Sequence, residues 1–108
     1  MKRGDVVLAA ATGDYGKPRP WVVVQSNLAP RDYPSVTLCP VTTFAEGQRD
    51  VRIRVEPTVK NGLRGASQIL ADKVHTLPRE RVRAHIGEID TDTLRALDTA
   101  VRVWLGLA

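Results

Sequence analysis

Substantial helical periodicity arises once along this chain, at its far end. After Asp90 the residues Leu94, Leu97, Val101, Trp104 and Leu105 recur at the spacing of one helical face, with Ala100 on the same side. Asp90 or Thr91 is placed to cap this helix, and Asp98 stands four residues before Arg102, the spacing of an intrahelical ion pair. Upstream, the apolar residues come instead in short, β-branched runs separated by Gly, Pro, Asn and Asp, which is the punctuation of strands and turns. Several antiparallel strands followed by one helix make an α+β class, mainly β.

Taken in order, residues 5–10 form a first strand and residues 12–18 a loop carrying two glycines, an acid, Tyr15 and Lys17. Residues 21–26 form the next strand, and the polar stretch 27–34, with Tyr33, connects it to a third strand at 36–41. Thr42 and Thr43 fall where that strand gives way to the loop 44–50. Residues 51–55 alternate apolar and basic side chains, so Arg52 and Arg54 share a face. That stripe has two readings of equal standing, a nucleic-acid contact or a charged edge that discourages sheet aggregation. Asn61-Gly62 marks a turn, and 66–77 is the next extended region, carrying Asp72, Lys73 and His75 before Leu77-Pro78 stops it. There is no internal repeat, low-complexity segment or linker, so residues 1–108 read as one domain.

Charge narrows the partners only a little. Lys and Arg number 16 against 12 Asp and Glu, and the net charge of +4 favours a polyanion without naming one. The single cysteine, Cys39, lies in an apolar strand and reads as a small buried side chain in a reducing, cytoplasmic setting. No apolar run is long enough to span a bilayer, and Asp5 interrupts the start where a secretion signal would continue its apolar stretch. His75, His85 and Cys39 are too scattered for a zinc site, and no phosphate-cradling glycine loop occurs, so no metal or cofactor is expected.

The chemistry-bearing stretch is Lys17-Pro18-Arg19-Pro20 running into Trp21-Val22-Val23-Val24-Gln25. Two prolines hold one arginine in an extended approach to a buried strand. A guanidinium fixed there suits anion recognition, since it is planar, permanently charged and able to grip phosphate with two parallel hydrogen bonds. On these residues alone, a solvated turn arginine remains the plainer reading.

Four pieces in order change that balance: Lys2-Arg3-Gly4-Asp5-Val6-Val7, Arg19 through Asn27, Pro40-Val41-Thr42-Thr43, and Ala100 through Leu107. Together they resemble the MazF/PemK toxins over nearly the whole chain. The resemblance implies a small SH3-like antiparallel β-barrel with a C-terminal helix, forming a homodimer that cuts single-stranded RNA without a metal. It also implies a cognate antitoxin that blocks the RNA site. Arg19 matches the family's active-site arginine, Thr42 the hydroxyl residue at the strand end, and Asp72 an acid that takes part in some members. Pro20, Thr43, Lys17, Lys73, His75, Arg52 and Arg54 are the candidate substrate contacts. Family members commonly carry glutamine where Lys73 stands and arginine where His75 stands, and some use a histidine in the first loop, where 12–18 has none.

Two alternatives come with this reading. CcdB-like toxins share the barrel and poison DNA gyrase through a C-terminal Trp-Gly-apolar ending, and this chain ends Trp104-Leu105-Gly106-Leu107-Ala108. On the helix stripe Trp104 is explained more simply by packing, in the core or against a second copy. The other alternative is a barrel that binds RNA without cutting it.

Overall fold

The computed structural model describes residues 1–11, 17–47 and 51–107. Tyr15 and most of the first loop therefore lie outside the described residues. Seven strands and one helix follow in the order β1 (Asp5–Ala9), β2 (Arg19–Val23), β3 (Ser35–Thr43), β4 (Arg52–Val55), β5 (Ser67–Leu70), β6 (His75–Pro78), β7 (Val82–Glu88) and α1 (Thr91–Leu105). The sheet path is β4-β5-β3-β2-β1-β7, with β6 also on β3. Every pairing is antiparallel. β4 and β7 do not pair with each other among the described residues, so the expected barrel is realised as a sheet left open between them.

The central strands are buried on both faces, which explains why their sequences run apolar without alternating. Val6, Val22, Cys39, Val41, Ile69 and Leu97 form one cluster, closed by α1. Val7, Trp21, Val23, Val36, Leu38 and Leu77 form the other, closed by β6. Within it the Trp21 indole donates to the Ala9 carbonyl at 3.1 Å, so the buried ring leaves no unmet donor.

β3 carries two partners along one edge. Its end pairs with β5 (Val41↔Ile69, Thr43↔Ser67) and its start with β6 (Leu38↔His75, Ser35↔Pro78). Between these blocks Cys39 and Pro40 face the longer stretch 70–74, and a 3-10 turn at Ala71–Lys73 takes up the excess. The single extended region expected over 66–77 is thus two strands with a turn between them. No glycine or proline in that turn announces it.

β2 begins at Arg19, earlier than expected, and ends at Val23 because Val24 and Gln25 both donate to the Thr37 carbonyl at 3.1 Å. β7 has no counterpart in the sequence reading. It is an edge strand with no residue fully buried, and it pairs with β1 through two register shifts. The Asn61-Gly62 turn presses on it: Gly62 has φ +70°, and a side chain there would run into the Ile86 carbonyl.

α1 is capped as expected, the Asp90 carboxylate accepting from the Thr93 N–H at 2.7 Å. Gly106, at φ 71°, closes its other end. Leu97 and Ala100 are buried, whereas Trp104 and Leu105, expected on the packed stripe, are 54% and 52% exposed in the single chain. Asp98 pairs with Arg3 at 2.8 Å, not with Arg102, and so ties the helix to the start of the chain.

Candidate active site

Arg19 is the first residue of β2, paired with Ala9 on one side. On the other side the β2–β3 register runs Val23↔Leu38, Val22↔Cys39 and Trp21↔Pro40, and beyond that last pair Arg19 and Thr42 line one groove. Thr42 pairs with Gln68, and Gln68 with Arg54. Directly opposed residues of antiparallel strands project to the same face, so Thr42, Gln68 and Arg54 form one cross-strand row. Next along that face stand two opposed pairs, Trp21 with Pro40 and Leu70 with Arg52.

At the ends of β2 and β3 lies an open groove of about 820 Å³, lined by Arg19, Pro20, Thr42, Thr43, Phe44 and Arg64 among others. Among the described residues it holds two guanidinium groups and no carboxylate or imidazole. Arg64 is exposed and forms no ion pair among the described residues. A groove of this composition attracts an anion and offers it hydroxyl donors.

The other candidates lie outside its lining. Lys17 is exposed just before it, and Lys73 is exposed on the 3-10 turn. His75 packs edge-on against Trp21, ring centroids 5.4 Å apart, with Nδ1 2.6 Å from the Lys73 carbonyl oxygen. Because a carbonyl oxygen only accepts, Nδ1 is the donor in that contact.

Asp72, expected to take part in catalysis, is held elsewhere. Its two carboxylate oxygens accept from Arg52 Nε at 3.2 Å and Nη2 at 3.1 Å, and its side chain is only 9% exposed. The Arg52 hydrogen bonds hold its carboxyl below the ordinary carboxylate range, which makes it a weaker base. It does not line the groove. The two stripe arginines therefore part company: Arg52 is committed to Asp72, while Arg54 lies over the Phe44 ring, 4.2 Å from its centroid, and donates to Glu56 at 2.8 Å.

Three residues of this region escaped the sequence reading. Phe44 and Arg64 sit in loops with no motif around them, and only the sheet register brings Gln68 beside Thr42. Gln68 is buried and its Oε1 has no hydrogen-bond partner. Elsewhere, burial pushes the Cys39 thiol up to about 12, in keeping with an inert strand side chain. His85 faces Asp5 at 3.5 Å in a separate hollow of about 580 Å³. Among the described residues no three His, Cys, Asp or Glu side chains gather as a metal set, and no helix is long and apolar enough to cross a membrane.

The chain is 42% identical to the probable endoribonuclease MazF of Mycolicibacterium smegmatis, covering 100% of this chain and 99% of that one. It is 26% identical to endoribonuclease EndoA of Bacillus subtilis, covering 99% and 96%. A solved structure of a mycobacterial endoribonuclease in complex with its cognate antitoxin superposes with a TM-score of 0.83 at 24% identity, covering 100% of this chain and 97% of that one. At that identity the superposition establishes the fold. Residues 2–105 match the family described as PemK-like, MazF-like toxins of type II toxin–antitoxin systems, and the chain belongs to that family.

Proposed function

We propose that this toxin is a cytoplasmic endoribonuclease that cuts single-stranded RNA, works as a homodimer, and is held in check by a cognate antitoxin. The groove that gathers Arg19, Thr42 and Arg64 carries the reading. In the reaction, the ribose 2′-hydroxyl attacks the adjacent phosphorus and the 5′ oxygen leaves, giving a cyclic phosphate and a free 5′-hydroxyl. The nucleophile belongs to the substrate, so the protein has only to stabilise charge and move protons.

Arg19 offsets the negative charge that grows on the phosphorane oxygens. Thr42 donates its hydroxyl hydrogen to one of them, and Arg64 adds a second positive charge across the groove. Pro20 and Thr43 shape the wall beside them. Lys17 and Lys73 meet phosphates outside the groove. His75 contacts the substrate from the row of Val23 and Leu38. Asp72 serves by holding Arg52 in place on that face.

The exposed apolar end of α1, with Val103, Trp104 and Leu105, fits a surface covered by a second copy. The antitoxin bound to the mycobacterial relative supports the other partner. Gyrase poisoning is not favoured, because the relatives matched along the whole chain are endoribonucleases.

The test is the chemistry of the cut ends. Purified protein in excess chelator should cleave a long single-stranded RNA at a short motif, leaving 5′-hydroxyl and cyclic phosphate termini, and a 2′-deoxy substitution at the cut site should block it. Intact RNA, or ends carrying a 5′-phosphate, would refute the proposal.

A further inference from the structure

We infer that the Phe44–Arg54 stack is the seat for a nucleobase flanking the cleaved phosphodiester, so that these two side chains help set which RNA is cut. The inference rests on the ribonuclease reading above and adds base recognition to it. Phe44 follows Thr43 directly, lines the groove with Arg19 and Thr42, and is anchored by its N–H donating to the Ala66 carbonyl at 3.0 Å. The Arg54 guanidinium carbon lies 4.2 Å from the Phe44 ring centroid, while Nε donates to Glu56 at 2.8 Å. The guanidinium is thus fixed by a ring against one face and a carboxylate at one edge. With 56% of the Arg54 side chain exposed, it keeps surface available to a ligand while it lies over the ring.

Unpaired bases in single-stranded RNA are held by stacking on aromatic rings and on guanidinium planes. Among the described aromatic residues, Trp21 is buried, Tyr33 and Trp104 lie away from the groove, and Phe44 alone lines it. The spacing also suits one nucleotide. Thr42 and Arg54 stand in one row separated by β5, two strand spacings or about 10 Å apart. A phosphate held at Arg19 and Thr42 can therefore present a neighbouring base to the exposed surface of Arg54. Base, guanidinium and phenyl ring then form a three-layer stack, with the charge of Arg54 drawing the base in and Phe44 keeping the guanidinium flat beneath it.

The experiment uses full-length protein and an RNA blocked by a 2′-deoxy sugar at the cut site, with 2-aminopurine at the flanking position. Binding of the unaltered protein should quench the 2-aminopurine fluorescence. Phe44→Leu and Arg54→Gln should each lose most of that quench, and on cleavable RNA should raise KM roughly tenfold or more with a smaller change in kcat. Both variants should relax the base preference at that position in a map of cut ends, and Phe44→Tyr should restore it. Thermal melts confirm that the variants are folded. If the unaltered protein cleaves RNA while quench, KM and motif are the same in both variants, the stacking seat is overturned and the ribonuclease reading stands. If the unaltered protein leaves RNA uncut, the ribonuclease reading falls; a quench that requires Phe44 then still supports the seat, and no quench overturns it as well.

Discussion

Replacing Asp72 with asparagine separates a structural role from a catalytic one. The substitution keeps the shape of the side chain and removes the charge that receives two hydrogen bonds from Arg52. Hydrogen bonds to charged groups contribute about 1.5–3 kcal/mol each, and the cost of drawing a largely covered ion pair out of water offsets part of that. With Asp72 9% and Arg52 20% exposed, we expect a net loss of roughly 2 kcal/mol. At about 4 °C per kcal/mol for a domain of this size, Tm should fall by about 8 °C. The pH dependence has a definite sign. Because Arg52 lowers the folded-state pKa of Asp72, the pair's contribution is complete above the unfolded value near 3.9 and is lost as pH falls through the lower folded value. Urea denaturation should therefore show a gap between parent and variant at neutral pH that closes in acid. Cleavage per folded molecule should stay within a few-fold of the parent. An activity loss of about a hundredfold with unchanged stability would mean that Asp72 is a proton-transfer group and that this assignment is wrong.

Thr42→Val keeps a β-branched shape in the strand and removes the hydroxyl, so single-turnover cleavage should slow by about 10²–10³ with little change in Tm. Unchanged cleavage would take Thr42 out of the mechanism. Asp90→Ala removes the acceptor for the Thr93 N–H and should cost about 1 kcal/mol in urea denaturation. Cys39, buried and with its thiol pushed up to about 12, should resist a thiol-specific reagent at neutral pH until the protein unfolds; rapid labelling of native protein would contradict its burial.

The sequence was most informative where local rules and tertiary packing agree. The apolar runs around Val6, Val22 and Leu38 are strands because both of their faces are covered. The helix after Asp90 was legible from its cap and its period. β7 was not, because an edge strand buries little and its residues need no alternating pattern. The turn at Ala71–Lys73 was not either, since it exists to let two strands pair with the single edge of β3. That turn places Asp72 against Arg52, which neither residue's own neighbourhood in the sequence suggests. Arg19 and Thr42 were each visible as candidates, but only the folded sheet puts them in one groove. Phe44, Gln68 and Arg64 became candidates only once separate strands and loops were brought to one place.

The most direct measurement is single-turnover cleavage of one long single-stranded RNA, in chelator, by the unaltered protein and by Arg19→Ala, with circular dichroism and thermal melts run alongside. The account predicts that the alanine variant is folded and melts like the parent, since Arg19 is exposed at a strand end, yet leaves the RNA intact. Undiminished cutting at the same sites by the folded variant would contradict it.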